Sequence, residues 1–184
     1  LDLTGASGGT VRIDAIEVED VTGWWLRDMM DWVDVRDFGA KGDGVTDDRG
    51  AFLAADAAAA GRDLLVPAGT YRIGSNLALT APVRFVGTLS MPANARLALL
   101  KSFDYPTYVA AFGDETLAFK KAIQALLGFS DHNVLDLRGR RIEVTEPIDL
   151  SAAVPDVTTF SNHRVVQNGQ FNVIDGPAWA PTVV

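Results

Sequence analysis

The stretch from residue 35 to residue 48 limits the possible folds of this chain more than any other part of it. The residues before it, Trp32–Val35, alternate in polarity, which predicts a short β-strand. Three glycines follow in close succession, Gly39, Gly42 and Gly44. They predict a sharp turn, because glycine adopts left-handed backbone conformations without a steric penalty. The stretch closes on oxygen-bearing side chains of the kind that cap a helix, Thr46, Asp47 and Asp48. Since the alanine-rich residues 50–60 come next, we expect a strand, a glycine turn, a cap and a helix.

These residues are similar to the opening signature of the pectate-lyase superfamily of right-handed parallel β-helices. The signature positions in this chain are Asp37, Phe38, Gly39, Gly42, Asp43, Gly44, Asp47, Asp48, Pro67 and Gly69. The similarity is close from residue 33 to residue 87 and looser beyond that point. It departs at Arg49-Gly50, where small residues are more usual in the family. The whole chain also resembles the middle portion of phage tailspikes and of the head spikes of gene transfer agents.

The resemblance implies a mainly β protein, in which residues 33–184 form the incomplete N-terminal portion of a right-handed parallel β-helix with one or two capping or flanking α-helices. It implies a homotrimeric virion spike, assembled in the bacterial cytoplasm with other virion structural proteins, that attaches the particle to bacterial capsular or surface polysaccharide. The signature belongs to the fold in that family and not to a catalytic centre. This chain is therefore expected to serve as the structural and anchoring part of the spike. The alternative is a polysaccharide lyase or glycoside hydrolase of the same fold whose active site lies beyond this chain.

Composition narrows the possible partners and compartments. The formal net charge of −8 and the pI near 4.6 argue against nucleic-acid binding, which needs clustered cations over phosphates. No segment reaches the length of a membrane span, and without cysteine there is no disulfide framework. No nucleotide or cofactor fingerprint is present, so no cofactor is expected. Because the chain begins at Leu1 and ends after a proline-rich piece, we expect it to be a fragment of a longer polypeptide.

Residues 1–22 are predicted to be the C-terminal end of a β-sandwich domain. Apolar and charged residues alternate from Val11 to Glu19, with a register break near Ala15-Ile16, as in a strand with one wet face. The segment resembles the last strands of a jelly roll of the carbohydrate-binding type. Another β-sandwich or an edge hairpin explains the pattern equally well.

Residues 23–32 are predicted to form a tryptophan-rich connector helix. Its large apolar residues recur at helical spacing, as from Trp25 to Met29. The tryptophans Trp24, Trp25 and Trp32 favour packing between domains or subunits, with plain core packing or stacking on a saccharide as the alternatives.

Short apolar strands separated by turns continue through the rest of the chain. Residues 64–66 and 83–86 are predicted to lie on successive rungs of one coil, each covering the apolar face of the next. The helix–strand–turn–strand pattern then recurs, with a second helix around Leu117 expected as an insertion beside the stack. Between them, the aromatic residues 103–112 predict a loop followed by a helical turn. Residues 164–174 predict one more corner, with a left-handed bend at Asn168-Gly169 and with Phe171 and Val173 pointing inward.

Three groups of side chains are candidates for chemistry. Asp43, Asp47 and Asp48 lack the alternating ligands of a calcium loop, so they are interpreted as capping and turn residues and no metal site is expected. A second set of carboxylates could act in pairs on a glycosidic bond, but their positions on predicted strands favour a solvated face: Asp136, Glu143, Glu146 and Asp149.

The third group surrounds Gly139 and is cationic: Arg138, Arg140 and Arg141. It could bind an anionic saccharide, although a charged surface turn is the more common explanation of such a cluster. His132 and His163 have no metal-ligand spacing. No catalytic residue is therefore assigned within this chain.

Overall fold

A computed structural model describes residues 15–18, 30–128, 132–144, 148, 154 and 163–174. The chain divides into two compact units, residues 1–30 and 31–184. In the first unit, residues 15–18 are exposed and belong to neither a helix nor a strand. The predicted sandwich strand before residue 15 and the connector tryptophans Trp24 and Trp25 lie outside the described residues.

In the second unit, short parallel strands are distributed in turn among three sheets. The strands are β1 (Trp32–Asp34), β2 (Asp43–Asp47), β3 (Asp63–Val66), β4 (Thr70–Arg72), β5 (Leu77–Leu79), β6 (Val83–Phe85), β7 (Thr88–Ser90) and β8 (Leu97–Leu99). The sheet orders are β1-β3-β6, β2-β4-β7 and β5-β8, and every pairing is parallel. Each circuit of the chain therefore lies on the previous one, and we call these eight strands the first stack.

The pairing register confirms that residues 64–66 and 83–85 lie on adjacent rungs. Leu64 pairs with Val33 on one side and Val83 on the other. Parallel pairing in register keeps the inward side chains above one another, so they form one core. The fully buried members on β3 to β8 are Leu64, Val66, Tyr71, Leu77, Leu79, Leu97 and Leu99.

The alanine-rich segment forms the predicted helix, α1 (Arg49–Ala59). It packs against β1, β3 and β5, and its buried residues are Phe52, Ala55 and Ala59. The small alanines let the helix approach the strands closely. Asp56 fixes the contact, because its carboxylate accepts hydrogen bonds from the backbone N–H groups of Thr80 and Ala81 beyond β5. The third sheet has two strands where the other two have three, and α1 packs against β5 there.

The glycine-rich segment differs from its prediction in two places. Val35 does not continue β1, because a 3₁₀ helix spans Val35–Phe38 and ends at Gly39, whose φ is 98°. After the turn, residues 43–47 pair with β4 as strand β2, with a register irregularity between Asp43 and Asp47. The sequence predicted only a turn and a cap there. The glycines permit the turn, while the backbone between them still pairs with its neighbour.

Two helices follow the first stack, α2 (Tyr105–Phe112) and α3 (Glu115–Gly128). The prediction of a loop with one helical turn was wrong for α2, where Pro106 lies in the first turn, a position that proline tolerates. Asp104 caps this helix by accepting from the Thr107 N–H at 2.9 Å. Asp114 accepts from the Leu117 N–H in the same way at the start of α3.

The second stack is formed by β9 (Val134–Asp136), β10 (Arg141–Val144), β11 (Val165–Gln167) and β12 (Gln170–Val173), with β9 parallel to β11 and β10 parallel to β12. Within the described ranges, none of its strands pairs with the first stack. Instead, α2 packs on β6 and β7, and α3 packs on β8, β9 and β10. The helical pair therefore contacts both stacks, where the sequence predicted a second helix inserted beside the stack.

The last corner turns at Asn168, whose φ of 56° confirms the left-handed bend. Register places Phe171 and Val173 next to the buried Ile142 and Val144, on the inward side. They therefore lie on the predicted side, but they are 51% and 59% exposed. Among the described residues, no strand covers the other edge of β12.

None of the helices in the described ranges has both the length and the apolar character needed to cross a membrane.

Candidate functional site

The carboxylate of Asp48 lies within the glycine-rich loop of residues 39–48, which we call the signature loop. Its side chain is buried, and it accepts hydrogen bonds from the backbone N–H groups of Lys41 at 2.7 Å and Gly42 at 3.1 Å. Asp48 occupies the N-cap position of α1 but makes no side-chain cap bond. The predicted capping role of this residue is therefore wrong, because its oxygens are already used by the loop.

Asp43 and Asp47 point to different partners. Asp43 accepts from the backbone N–H groups of Val45 and Thr46, and from the Thr46 hydroxyl at 2.8 Å. Asp47 accepts from the N–H of Arg49 in the first turn of α1 and from the N–H of Gly74 on the next circuit. Asp47 thus supplies the cap bond expected of its neighbour.

These contacts favour the ionised form of both carboxyls. Hydrogen bonds from the Thr46 and Val45 N–H groups hold the pKa of Asp43 below its usual value. The N–H groups of Gly74 and then Arg49 lower the pKa of Asp47 in the same way. Across the described residues, no group of three or more acidic or histidine side chains is arranged to hold a metal ion. The cluster is built to organise the loop.

The signature glycines make room for Tyr71, a buried tyrosine of β4. A Cβ atom on Gly42 would lie 2.9 Å from the Tyr71 ring. A Cβ atom on Gly69 would lie 3.0 Å from the Gly42 carbonyl oxygen. The ring packs edge-on against Phe52 of α1 with centroids 5.5 Å apart. Its hydroxyl accepts a hydrogen bond from Arg36 Nε at 3.1 Å, while burial raises the pKa of Tyr71. Glycines, tyrosine and helix therefore form one packing unit.

Gly87 belongs to the same unit, and the sequence analysis did not single it out. A Cβ there would lie 2.3 Å from the Pro67 carbonyl oxygen and 2.7 Å from that of Gly69. The signal in the sequence was a glycine directly before a Thr-x-Ser strand, which repeats the Gly-Thr-x-Arg arrangement at residues 69–72.

A row of polar side chains on β2, β4 and β7 is a further candidate for binding. Its members are Asp43, Thr70 and Thr88 in one line, and Asp47, Arg72 and Ser90 in the next. We call these six residues the polar ladder. Neighbouring strands lie about 4.8 Å apart, so the ladder presents hydroxyl, carboxylate and guanidinium groups at regular intervals along the stack. Sequence reasoning missed it, because only the register shows that these residues align.

The arginine turn is engaged with the helical pair. Arg138 Nη2 lies 3.6 Å from Asp104 Oδ2, and Arg140 Nη1 lies 3.0 Å from Glu115 Oε1. Asp104 caps α2 and Glu115 begins α3, so both arginines face helix N-termini that already carry carboxylates. Arg141 is exposed at the start of β10. The turn therefore connects the second stack to the helices.

Two of the four candidate carboxylates, Asp136 and Glu143, lie among the described residues. Asp136 accepts from the Arg138 N–H at 2.8 Å, which is the main reason its pKa is lowered. Glu143 is exposed, as predicted for a solvated face. Glu146 and Asp149 lie outside the described residues.

Trp32 stands at the start of β1 beside Asp63, with 37% of its surface exposed.

A buried lysine on α3 was not anticipated. Lys121 Nζ donates to the carbonyl oxygens of Pro92 at 2.6 Å, Ala93 at 3.2 Å and Ala95 at 2.6 Å. These acceptors use all three ammonium hydrogens, and burial lowers the pKa of Lys121 to about 8. The lysine therefore attaches the loop before β8 to α3. Helical periodicity could not reveal it, because a lysine on a helix is ordinarily exposed.

His132 also has a contact that its sequence spacing did not indicate. Its Nε2 lies 2.7 Å from the Leu100 carbonyl oxygen, and its ring stacks on Phe103 with centroids 4.9 Å apart. The histidine thus joins the start of the second stack to the end of the first. His163 is exposed.

Residues 32–98 match the model of a family described as rhamnogalacturonase A/epimerase, pectate lyase-like. The matched segment runs from β1 into β8 and includes α1, so it coincides with the first stack. The match supports the pectate-lyase superfamily for this segment and a polysaccharide-related function. Neither a curated protein nor a solved structure matches the chain.

Proposed function

We propose that this chain is the structural, anchoring part of a right-handed β-helix spike that attaches a phage or phage-like particle to bacterial surface polysaccharide. The observation that carries the proposal is the coincidence of the pectate lyase-like match at residues 32–98 with the first stack. The polar ladder adds hydrogen-bonding groups on the outside of that stack. Sugar hydroxyls pair readily with such side chains, whose apolar neighbours are turned inward.

Three carboxyls of this part are suited to accept hydrogen bonds rather than to donate a proton. A glycosidase needs one carboxyl whose raised pKa keeps it protonated as a general acid. The hydrogen bonds around Asp43, Asp47 and Asp136 lower their pKa values instead. These groups are suited to remain ionised and to accept hydrogen bonds.

The spike proposal includes a homotrimer, other virion structural proteins as partners, and a position on the outside of the particle. Sedimentation of the full-length protein tests the first of these. A mass of three chains is expected, and a monomer at micromolar concentration would count against the spike.

The second candidate is a polysaccharide lyase or glycoside hydrolase of the same fold with its active site outside this chain. The matched family's description, which includes rhamnogalacturonase A, favours it.

Incubating the full-length protein with capsular polysaccharide separates the two candidates. Retention of the polysaccharide without shortening supports the spike, and shortening supports the enzyme. If the polysaccharide is neither retained nor shortened, both candidates are ruled out. Arg72→Ala changes the polar ladder and is expected to weaken retention. Arg84→Ala, an exposed arginine on the sheet β1-β3-β6, is the matched control and should leave retention unchanged.

A further inference from the structure

The turn between β11 and β12 contains the chain's single Asn-Gly sequence, Asn168-Gly169. Both residues are exposed, and Asn168 has the left-handed φ of 56°. Glycine presents no side chain beside its backbone nitrogen, so that nitrogen can approach the preceding asparagine side chain. Asn133 and Asn172 in the same stack are each followed by a branched valine, which hinders the same approach.

The asparagine also holds the turn on the circuit below it. Asn168 Nδ2 donates to Asp136 Oδ2 at 3.2 Å, and the Asn168 carbonyl accepts from the Gly139 N–H. Gly169 packs so tightly on Leu137 that a Cβ would lie 2.4 Å from its side chain. The strands β11 and β12 form what we call the outer rung of the second stack. The turn between them therefore depends on one amide group and one glycine.

We propose that Asn168 is a site of spontaneous covalent modification, and that its deamidation releases the outer rung of the second stack. The backbone nitrogen of Gly169 attacks Cγ of Asn168, forming a C–N bond and a five-membered succinimide. The Cγ–Nδ2 bond breaks, and Nδ2 leaves as ammonia with the proton from the Gly169 nitrogen. Water then opens the ring at either carbonyl, giving aspartate or isoaspartate. No oxidant or reductant is involved.

Both products work against the turn. Aspartate places a carboxylate where the amide donor faced Asp136, so that two negative charges meet where a hydrogen bond stood. Isoaspartate loses the same donor, and its free carboxylate is formed from the main-chain carbonyl that accepted from the Gly139 N–H. Isoaspartate also inserts one additional atom into the main chain between β11 and β12. The pairings of Val166 with Leu135 and of Phe171 with Ile142 then no longer fit together. The contact between Phe171 and Phe119 of α3, with centroids 5.2 Å apart, is lost with them.

The test is incubation of the folded protein at mildly alkaline pH, followed by peptide mapping by mass spectrometry with isoaspartate detection. Conversion is expected at Asn168 and not at Asn133, which serves as the internal control. Asn168→Gly, which accepts the left-handed backbone, should release no ammonia from this turn. An unmodified Asn168, in a period that fully converts a free peptide of residues 164–174, would overturn the proposal.

The consequence is tested separately with Asn168→Asp. It should lower the urea midpoint and speed hydrogen exchange in residues 134–144. In an Asp136→Asn background the same change should cost clearly less, because the opposing carboxylate has been removed. Equal losses in both backgrounds would refute the release mechanism. If Asn168→Asp does not fold, hydrogen exchange on aged and fresh wild-type protein decides the same point.

Discussion

The two stacks are built from the same local pattern but differ in what covers them. In the first stack, α1 packs at β1, β3 and β5, and α2 packs on β6 and β7. Its inward residues are fully buried, as Leu64 and Tyr71 show. In the second stack, α3 covers β9 and β10, but Phe171 and Val173 on β12 remain more than half exposed. The pattern of short strands defines a rung, whereas burial of that rung depends on its neighbours.

The largest expected effect comes from emptying the covered core. Tyr71→Ala removes a buried ring that packs on Phe52, and we expect a loss of about 3 kcal/mol or more in the free energy of unfolding. Phe171→Ala in the second stack should cost less than about 1.5 kcal/mol, because that ring is half in water. Urea denaturation of both variants measures the contrast. Equal losses would show that the two stacks are covered alike.

Removing the buried carboxylate of the signature loop is expected to have the next largest effect. Asp48→Ala leaves the N–H groups of Lys41 and Gly42 without their acceptor, which should cost about 1–3 kcal/mol. Asp43→Ala is the control, because the carboxylate of Asp43 is exposed and water can replace it. The urea midpoint of this variant should move less than that of Asp48→Ala. A larger loss for Asp43→Ala would reverse our assignment of which carboxylate holds the loop.

The pH dependence of the first stack depends on Lys121. The folded protein holds this lysine at a pKa of about 8, below the ordinary 10.5, so between these pH values the unfolded chain binds more protons. Stability from this group should therefore rise as the pH increases from 8 towards 10.5. Lys121→Met should lack this rise, as thermal unfolding of both proteins across the range will show. Parallel curves for the two proteins would contradict the burial of the ammonium group.

The smallest expected effect concerns the link between the helices and the second stack. Arg138 and Arg140 are 62% and 42% exposed, so the loss of either ion pair should cost at most about 1 kcal/mol. The loss should shrink further in high salt. Denaturation of Arg140→Ala at low and high ionic strength measures it. A large loss that salt does not alter would mean that the turn has a different role.

The sequence predicted the elements whose cause is local. The alanines of residues 50–60 gave α1, and the strands at 64–66 and 83–85 followed from alternation between turns. Asn168 gave its left-handed bend because asparagine tolerates that conformation. The signature carboxylates were predicted to bond the turn and the cap, and Asp43 and Asp47 do so.

The features that sequence reasoning missed depend on distant partners. Residues 103–112 suggested a loop followed by a helical turn, but Pro106 lies in the first turn of α2, where proline is compatible with a helix. Asp48 was assigned to the helix, whereas its oxygens are bound by Lys41 and Gly42. Lys121 is buried because three carbonyls of a loop far away in sequence surround it. The polar ladder exists only because three strands align in one register.

That register can be tested directly, because the chain has no cysteine of its own. Leu65 and Arg84 pair on adjacent strands of one sheet, whereas Arg72 belongs to another. Adjacent strands bring Cα atoms within the separation that a disulfide spans. Under mild oxidation, Leu65→Cys with Arg84→Cys should form an intramolecular disulfide in the native protein, and Leu65→Cys with Arg72→Cys should not. Failure of the first pair, or equal cross-linking of the second, would contradict the stacked parallel strands.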